Sequence, residues 1–306
     1  MDVPKLFTIA FPVYNRTDYF RTALDSAVNQ TVKCSILVID NNSPHDDFKE
    51  IVDSYNNPLI KYIKTDETVH QDENFNNCIR YCETPWLTIL HDDDTLHCQY
   101  VELAMKLISE NEDLGGFAVD CNVGAEEWQG IHEKVEFTDD IKQVAEPYFY
   151  FTNLSAFPGV SFRKDIALKL GGFNVDLHPI GDNDFWYRIS MESRVLLVNQ
   201  QFAYYRISPT QSTNRLMEAM INDVYMYRLN LMKNGRYNNI LTRLALEEAR
   251  LNNIKYFFKM YNEVQLPPKL YNKGWMNFTK LFLLIPGTLA LIYRYKGKIS
   301  FVRQRI

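Results

Sequence analysis

Four polar clusters hold the side chains in this sequence that could do chemistry. The sharpest is His91-Asp92-Asp93-Asp94, which directly follows an apolar run. Three adjacent carboxylates repel one another and persist cheaply only when open to water or neutralised by a cation. A hard divalent ion with oxygen ligands, bridging to phosphate, suits such a set. A solvated helix cap is the competing reading, because Asp is common at helix N-termini. Asp40, followed by Asn41-Asn42-Ser43, is the second cluster. Its carboxylate can accept from a uracil N–H or a ribose hydroxyl, or simply cap a turn. The third, Pro12-Val13-Tyr14-Asn15-Arg16, offers backbone to flank a base and an arginine to meet phosphate. Its plainer reading is a helix-entry loop. The fourth, Gly181-Asp182-Asn183-Asp184-Phe185-Trp186-Tyr187-Arg188, puts a carboxylate at a helix start, where neighbours can tune a general base. Asp182 could equally be a helix cap there, and Trp186 either packs or stacks on a sugar ring.

The elements that must position these clusters alternate. Apolar runs at Leu6–Pro12, Ser35–Asp40, Leu59–Lys64, Trp86–His91 and Gly116–Cys121 read as strands. Between them, stretches near 18–30, 46–55, 73–81 and 99–109 carry helical spacing, with Thr17 or Asp18 as cap of the first. Alternation of this kind predicts an α/β fold, a mostly parallel, Rossmann-like sheet flanked by helices. Ligands of such sheets bind outside the carboxyl ends of the strands, where the first three clusters fall. Residues 123–150 read as an irregular flap. A mixed segment follows: strand 155–163, helix 164–170, helix 183–191, and two strands, 195–198 and 202–207. Helical spacing resumes over 215–233 and 240–261. The expected division is a catalytic domain over 1–214, with 1–120 binding the donor and 121–214 facing the acceptor. A helical C-terminal extension over 215–306 completes it.

Charge is unevenly placed. The 306 residues carry a formal net charge of −5, yet no Asp or Glu follows Glu263 while eight basic residues do, from Lys269 to Arg305. An acidic body argues against nucleic acid as partner. A basic tail argues for an anionic surface. Leu281–Tyr293 within it is apolar but too short to span a bilayer, which takes about 20 residues, and Pro286-Gly287 splits it. The segment suits the plane of a membrane interface; the alternative is a helix docked on the body. The 5 cysteines form no CxxC pair, so a reducing compartment is expected. With no signal-peptide pattern at the start, the expected location is cytoplasmic, peripheral on the inner face of the cell membrane.

Other nucleotide machinery is disfavoured. None of the 12 glycines falls in a GxG spacing, and GK[ST], HExxH and GxSxG are all missing.

Taken in order, the pieces resemble glycosyltransferase family 2. They are Phe11–Arg16, Val38–Ser43, Asn74-Phe75-Asn76-Asn77-Cys78-Ile79 leading into His91–Asp94, then Leu170-Gly171-Gly172-Phe173 and Asp182–Arg188. The resemblance runs from Phe7 to about Ser212. It implies a GT-A fold, a nucleotide-sugar donor, a Mn²⁺ or Mg²⁺ cofactor and inversion at the anomeric carbon. Asp40 takes the place of the carboxylate that contacts the base, usually uracil, so a UDP-sugar is expected. Asp92 and Asp94 fill the outer places of the family's Asp-x-Asp. Asp94 would hold the metal, with Asp92 as a further candidate ligand that would face the ribose or sugar. Pro12, Tyr14, Arg16, Asn74 and Asp93 complete the expected donor site. Asp182 matches the base in the family's Glu-Asp pair, but Gly181 stands where the Glu belongs, leaving Asp184 as a rival. Members often carry a His near Ser208; here Arg206 would take more of the phosphate charge. Paired with the basic, apolar tail, these donor motifs lead us to expect an enzyme that extends a lipid-linked or oligosaccharide acceptor in bacterial surface polysaccharide, O-antigen or capsule. A sugar-phosphate nucleotidyltransferase and a non-catalytic glycan-binding protein on the same fold are the alternatives.

Overall fold

The computed structural model describes residues 2–234 other than 151, 152, 155, 209 and 210, together with Leu246. The expected helix over 240–261 (Leu246 apart) and the apolar basic tail lie outside the described residues. The chain divides into two compact units: Met1–Val144 with Leu154–Ile207, and Ala145–Asn153 with Ser208–Ile306.

The first unit is built on a nine-stranded sheet. Strands β1 (Phe7–Val13), β2 (Ser35–Asp40), β3 (Ile60–Lys64) and β4 (Trp86–Ile89) lie in the order β3-β2-β1-β4, all parallel. Helices α1 (Phe20–Val28), α2 (Asp47–Ser54) and α3 (Gln71–Tyr81) make the crossovers. The alternating βαβ expectation therefore holds. Phe7, Ile9, Ala10 and Phe11 in β1 are all fully buried, as a parallel strand covered on both faces requires. Phe20, Leu24 and Ala27 of α1 bury one face against this sheet, with Phe20 edge-on to Phe11 at 5.8 Å. The expected caps of α1 are not used: Tyr19 is its N-cap, without a side-chain bond.

Pro12 inside β1 has a local explanation. Ala10 accepts from the Leu90 N–H on the β4 side, so Pro12, two residues on, faces that side too. β4 has ended there, and the missing proline N–H leaves no ladder bond unmade.

The remaining strands are β5 (Thr95–Leu96), β6 (Leu114–Gly124), β7 (Ile141–Gln143), β8 (Val160–Arg163) and β9 (Arg194–Arg206). Helix α4 (Tyr100–Glu110) precedes β6, while α5 (Lys164–Lys169) and α6 (Gly181–Glu192) follow β8. β8 runs antiparallel between β4 and β6, and β9 lies parallel to β6. Two predicted strands, 195–198 and 202–207, are this single strand β9. The polar break between them is an irregularity in register, where pairing jumps from Val119↔Val198 to Asp120↔Gln201 and Cys121↔Ala203. Its amides are occupied: Asn199 Nδ2 donates to Asp140, and Gln200 bonds the Thr138 N–H and the Glu136 carbonyl. These bonds dock the segment read as an irregular flap, which also contributes β7, antiparallel to β9.

In the second unit, α7 (Ser212–Asn234) confirms the predicted helix. Among the described residues no helix is long and apolar enough to cross a membrane.

Candidate active site

The carboxyl ends of β1, β2 and β4 bring three of the four clusters together. Strand β4 delivers His91–Asp94, and the two-residue strand β5 fixes the end of that loop by pairing Thr95 with Tyr204 of β9. This places Asp94 beside the last residue of β9. The Arg206 N–H donates to Asp94 Oδ1 at 2.9 Å, and Arg206 Nε donates to the Asp93 carbonyl at 3.1 Å. The guanidinium carbon of Arg206 stands 4.6 Å from the Tyr19 ring centroid, within cation–π range.

Asp94 is fully buried. Burial pushes its carboxyl up to about 6, the His91 contact working against the rise and Asp93 with it. Its Oδ2 lies 3.4 Å from His91 Nδ1 and has no hydrogen-bond partner among the described residues. His91 is held between rings, stacked on Phe157 at 4.2 Å and on Phe75 at 5.5 Å. Burial works against the charge of His91, but Asp94 holds its pKa above the ordinary value.

Arg16 closes the other side. Its Nη2 donates to Asp92 Oδ1 at 2.7 Å and to Asp93 Oδ2 at 2.6 Å. Burial opposes the charge on Arg16, yet the two carboxylates hold it firmly protonated. The arginine read from sequence as a phosphate contact thus sits on the acidic triplet itself. One ligand-type atom from each of His91, Asp93 and Asp94 lies within 4.8 Å of the others. Asp92, which sequence reasoning paired with Asp94, turns to Arg16 instead. The buried, unpartnered Asp94 oxygen and this donor set fit a divalent cation with oxygen ligands.

The β1 and β2 loops are tied to each other. Asn15, at φ 59°, donates its N–H to Ser43 Oγ at 2.9 Å, and Asn41 donates its N–H to the Val13 carbonyl. Asp40 is buried, accepting from the Ser43 N–H at 2.8 Å and from the Tyr62 hydroxyl at 2.6 Å. Asn41 makes a two-way clasp with Val69 through its side-chain amide, at 2.8 Å in each direction. Tyr14 is half exposed beside this edge. Asn74, buried in α3, reaches the Ile39 carbonyl at 3.4 Å and leaves its Oδ1 unpartnered among the described residues.

Helix α6 carries the fourth cluster. It starts at Gly181 with Ile180 as N-cap, so Asp182 lies inside the first turn and does not cap it. Asp182 Oδ1 accepts from the Asn183 N–H and side-chain amide at 2.8 and 2.9 Å. Its charge also acts on Asp72 of α3. Trp186 is buried against Phe157, Phe162, Phe173 and Phe185, which favours packing, the first of its two readings.

Three residues with a part in this region carried no role in the sequence reading. His91 was visible only as the start of its motif. Tyr62 shows only through β2–β3 pairing. Asn76 lies in a noted motif, yet its work is long-range: it accepts from the Phe173 N–H at 2.7 Å and donates to the Phe173 carbonyl at 3.0 Å.

The sequence pattern described as "Glycosyl transferase family 2" matches residues 8–165, about half the chain, and the chain belongs to that family. It is therefore a glycosyltransferase. Over 309 residues it is 21% identical to an uncharacterized glycosyltransferase of Haemophilus influenzae, covering 96% of this chain and 100% of that protein. It is 24% identical over 258 residues to glycosyltransferase GlyA of Streptococcus pneumoniae, covering 78% of this chain and 36% of that one. Among solved structures, TarS of S. aureus in complex with UDP-GlcNAc superposes with a TM-score of 0.61 at 16% identity, covering 81% of this chain and 72% of TarS. The mannosyltransferase PcManGT of Pyrobaculum calidifontis, in complex with GDP-Man and Mn²⁺, gives 0.58 at 14%, covering 93% and 82%. These neighbours share the GT-A fold.

Proposed function

We propose that this chain transfers a sugar from a UDP-sugar to an acceptor glycan hydroxyl with inversion, using Mn²⁺ or Mg²⁺. The observation that carries the reading is the acidic triplet at the end of β4, with Asp94 buried and one of its oxygens unpartnered among the described residues. Asp94 would hold the cation, with Asp93 and His91 at hand and Asp92 turned toward Arg16. A bound divalent ion supplies positive charge to offset what gathers on the departing diphosphate. Arg16 and Arg206 flank the same spot, and Arg16 would exchange its carboxylates for phosphate oxygens when donor enters. Asp40 and Tyr14 would receive the base, and Asn74 the donor's remaining polar edge. Asp182 would take the proton of the attacking hydroxyl as its oxygen bonds to the anomeric carbon and the phosphate oxygen leaves with the bonding pair. Neighbours described with UDP-GlcNAc or with GDP-Man and Mn²⁺ support a nucleotide-sugar donor.

The setting we propose is the cytoplasmic face of the cell membrane, on a lipid-linked or oligosaccharide acceptor of surface polysaccharide, O-antigen or capsule. The domain reading goes with it: 1–214 catalytic, 215–306 helical with the basic apolar tail resting on the bilayer. Screening nucleotide sugars for metal-dependent thermal stabilisation tests the donor. Stabilisation by a UDP-sugar that Asp94→Ala abolishes is expected; the same stabilisation without metal, or in Asp94→Ala, overturns the cation reading. Removing residues beyond Asn272 should lower recovery with membranes, and unchanged sedimentation would refute that part.

A further inference from the structure

The start of α3 and the turn ahead of α6 hold a second group of ligand-type side chains: His70, Asp72 and His178. His70 and His178 pack edge to face with ring centroids 4.5 Å apart. Asp72 Oδ2 lies 3.5 Å from His178 Nδ1, and one ligand-type atom from each of the three residues lies within 4.8 Å of the others. Asp72 is only 5% exposed. Both its Oδ2 and His178 Nδ1 are buried without a hydrogen-bond partner among the described residues.

Helix capping does not account for this set. The Asp72 N–H donates to His70 Nδ1 at 3.3 Å, beyond the usual N–H bond length, and that bond needs neither the Asp72 carboxylate nor His178. A cation would satisfy the orphaned Asp72 oxygen. Gly181 lets the start of α6 approach Asp72 closely: a Cβ there would come within 3.0 Å of its Oδ2. His70 is exposed, so ions in solution can reach the group.

The geometry points to a second metal site, made by His70, Asp72 and His178, for a divalent transition ion of the zinc class with water as fourth ligand. Two imidazoles and one carboxylate are the donors such ions take when three protein ligands leave one position open. Metal–ligand bonds of about 2.0–2.1 Å set tetrahedral ligands about 3.3 Å apart. The 3.5 Å Asp72–His178 separation is close to that, and rotation of the exposed His70 ring would complete the set. The donor-site group, two carboxylates beside His91, is richer in oxygen and suits a harder ion. An ion held here ties the start of α3 to the turn that launches α6, next to Asp182.

The test uses the full chain, stripped with chelator and titrated with Co²⁺ alone, followed by Zn²⁺. One equivalent should give the visible d–d absorption of tetrahedral cobalt, displaced by Zn²⁺. His70→Ala, on an exposed position, and Asp72→Asn should each weaken binding at least about tenfold. Asp94→Ala should leave the absorption intact, which separates this site from the donor's cation. Zn²⁺ should raise the melting temperature of the wild type but not of His70→Ala. Loss of the absorption in Asp94→Ala, its persistence in His70→Ala, or no cobalt binding at millimolar concentration would overturn the proposal.

Discussion

Asp184 Oδ2 accepts from Arg188 Nε at 2.6 Å, one helical turn further along α6. The same guanidinium donates to the Leu170 carbonyl at 2.9 Å and the Gly172 carbonyl at 2.7 Å. Asp184 is therefore committed to an arginine that closes the turn after α5. That gives it a structural task and leaves Asp182 as the proposed base.

The two carboxylates should separate in a paired measurement. Asp182→Asn is expected to lower kcat about 10²–10⁴-fold, with donor affinity and melting temperature little changed. Asp184→Asn is expected to keep transfer within several-fold of wild type. Weakening a mostly buried, charge-assisted bond should cost it about 1–3 kcal/mol of stability. An active Asp182 variant alongside a dead but stable Asp184 variant would exchange the two roles.

Gly172 and Asn76 form the next pair. Gly172 sits at φ +73°, and a Cβ there would lie 2.2 Å from Asn76 Oδ1. That is the atom accepting from Phe173, so Gly172→Ala must displace the clasp as well as adopt a strained backbone. Asn76→Ala removes two buried bonds to Phe173 outright. Both variants should unfold more easily by about 2–4 kcal/mol, read by urea denaturation. A loss below about 0.5 kcal/mol in either would mean that the turn does not depend on the clasp.

The cysteines make a prediction with a definite sign. All five are free thiols. Burial pushes Cys34 up to about 12 and carries Cys78, Cys98 and Cys121 above the ordinary range as well. At pH 8 the reactive thiolate of Cys34 is about 10⁻⁴ of the population, against a sizeable fraction for a free thiol with pKa near 8.5. Iodoacetamide should modify Cys34 at least about 100-fold more slowly in the native chain than in urea. Alkaline stability follows the same way. An unfolded thiol ionises near pH 8.5 and folded Cys34 near 12, so rising pH between them favours unfolding. Fast native alkylation of Cys34 would show that its surroundings open readily.

Much of this was legible in the sequence because β1 to β4 and α1 to α3 are each defined locally, by apolar period and turn residues. Placing Asp40, Arg16 and the acidic triplet at one sheet edge needed only the βαβ rule. What escaped depends on contacts remote in sequence. Two residues, Thr95 and Leu96, are too short to show a strand period, yet their pairing with β9 seats Asp94. The Asn199–Gln201 break looks like a turn because its amides are polar, and only the bonds to 136–140 show it as an irregularity within one strand. His178 carries no signal of its own, since α3 supplies its neighbours from 100 residues away.

Arg16 should show opposite effects on two ligands. In the structure it bridges Asp92 and Asp93 at 2.7 and 2.6 Å, occupying with its own charge the place a divalent cation would neutralise. Both carboxylates are largely shielded from water, and burial together with Asp93 already raises the Asp92 carboxyl. Removing the guanidinium leaves that acidic group short of positive charge. Arg16→Ala should therefore bind Mn²⁺ alone several-fold more tightly than wild type. Donor diphosphate loses a charge-assisted partner, so UDP-sugar affinity at saturating metal should fall about tenfold or more. Calorimetric titration with each ligand separately reads both effects. If Arg16→Ala weakened metal and donor alike, the arginine would be a scaffold for the loop; if it weakened neither, the ion pair would have no part in binding.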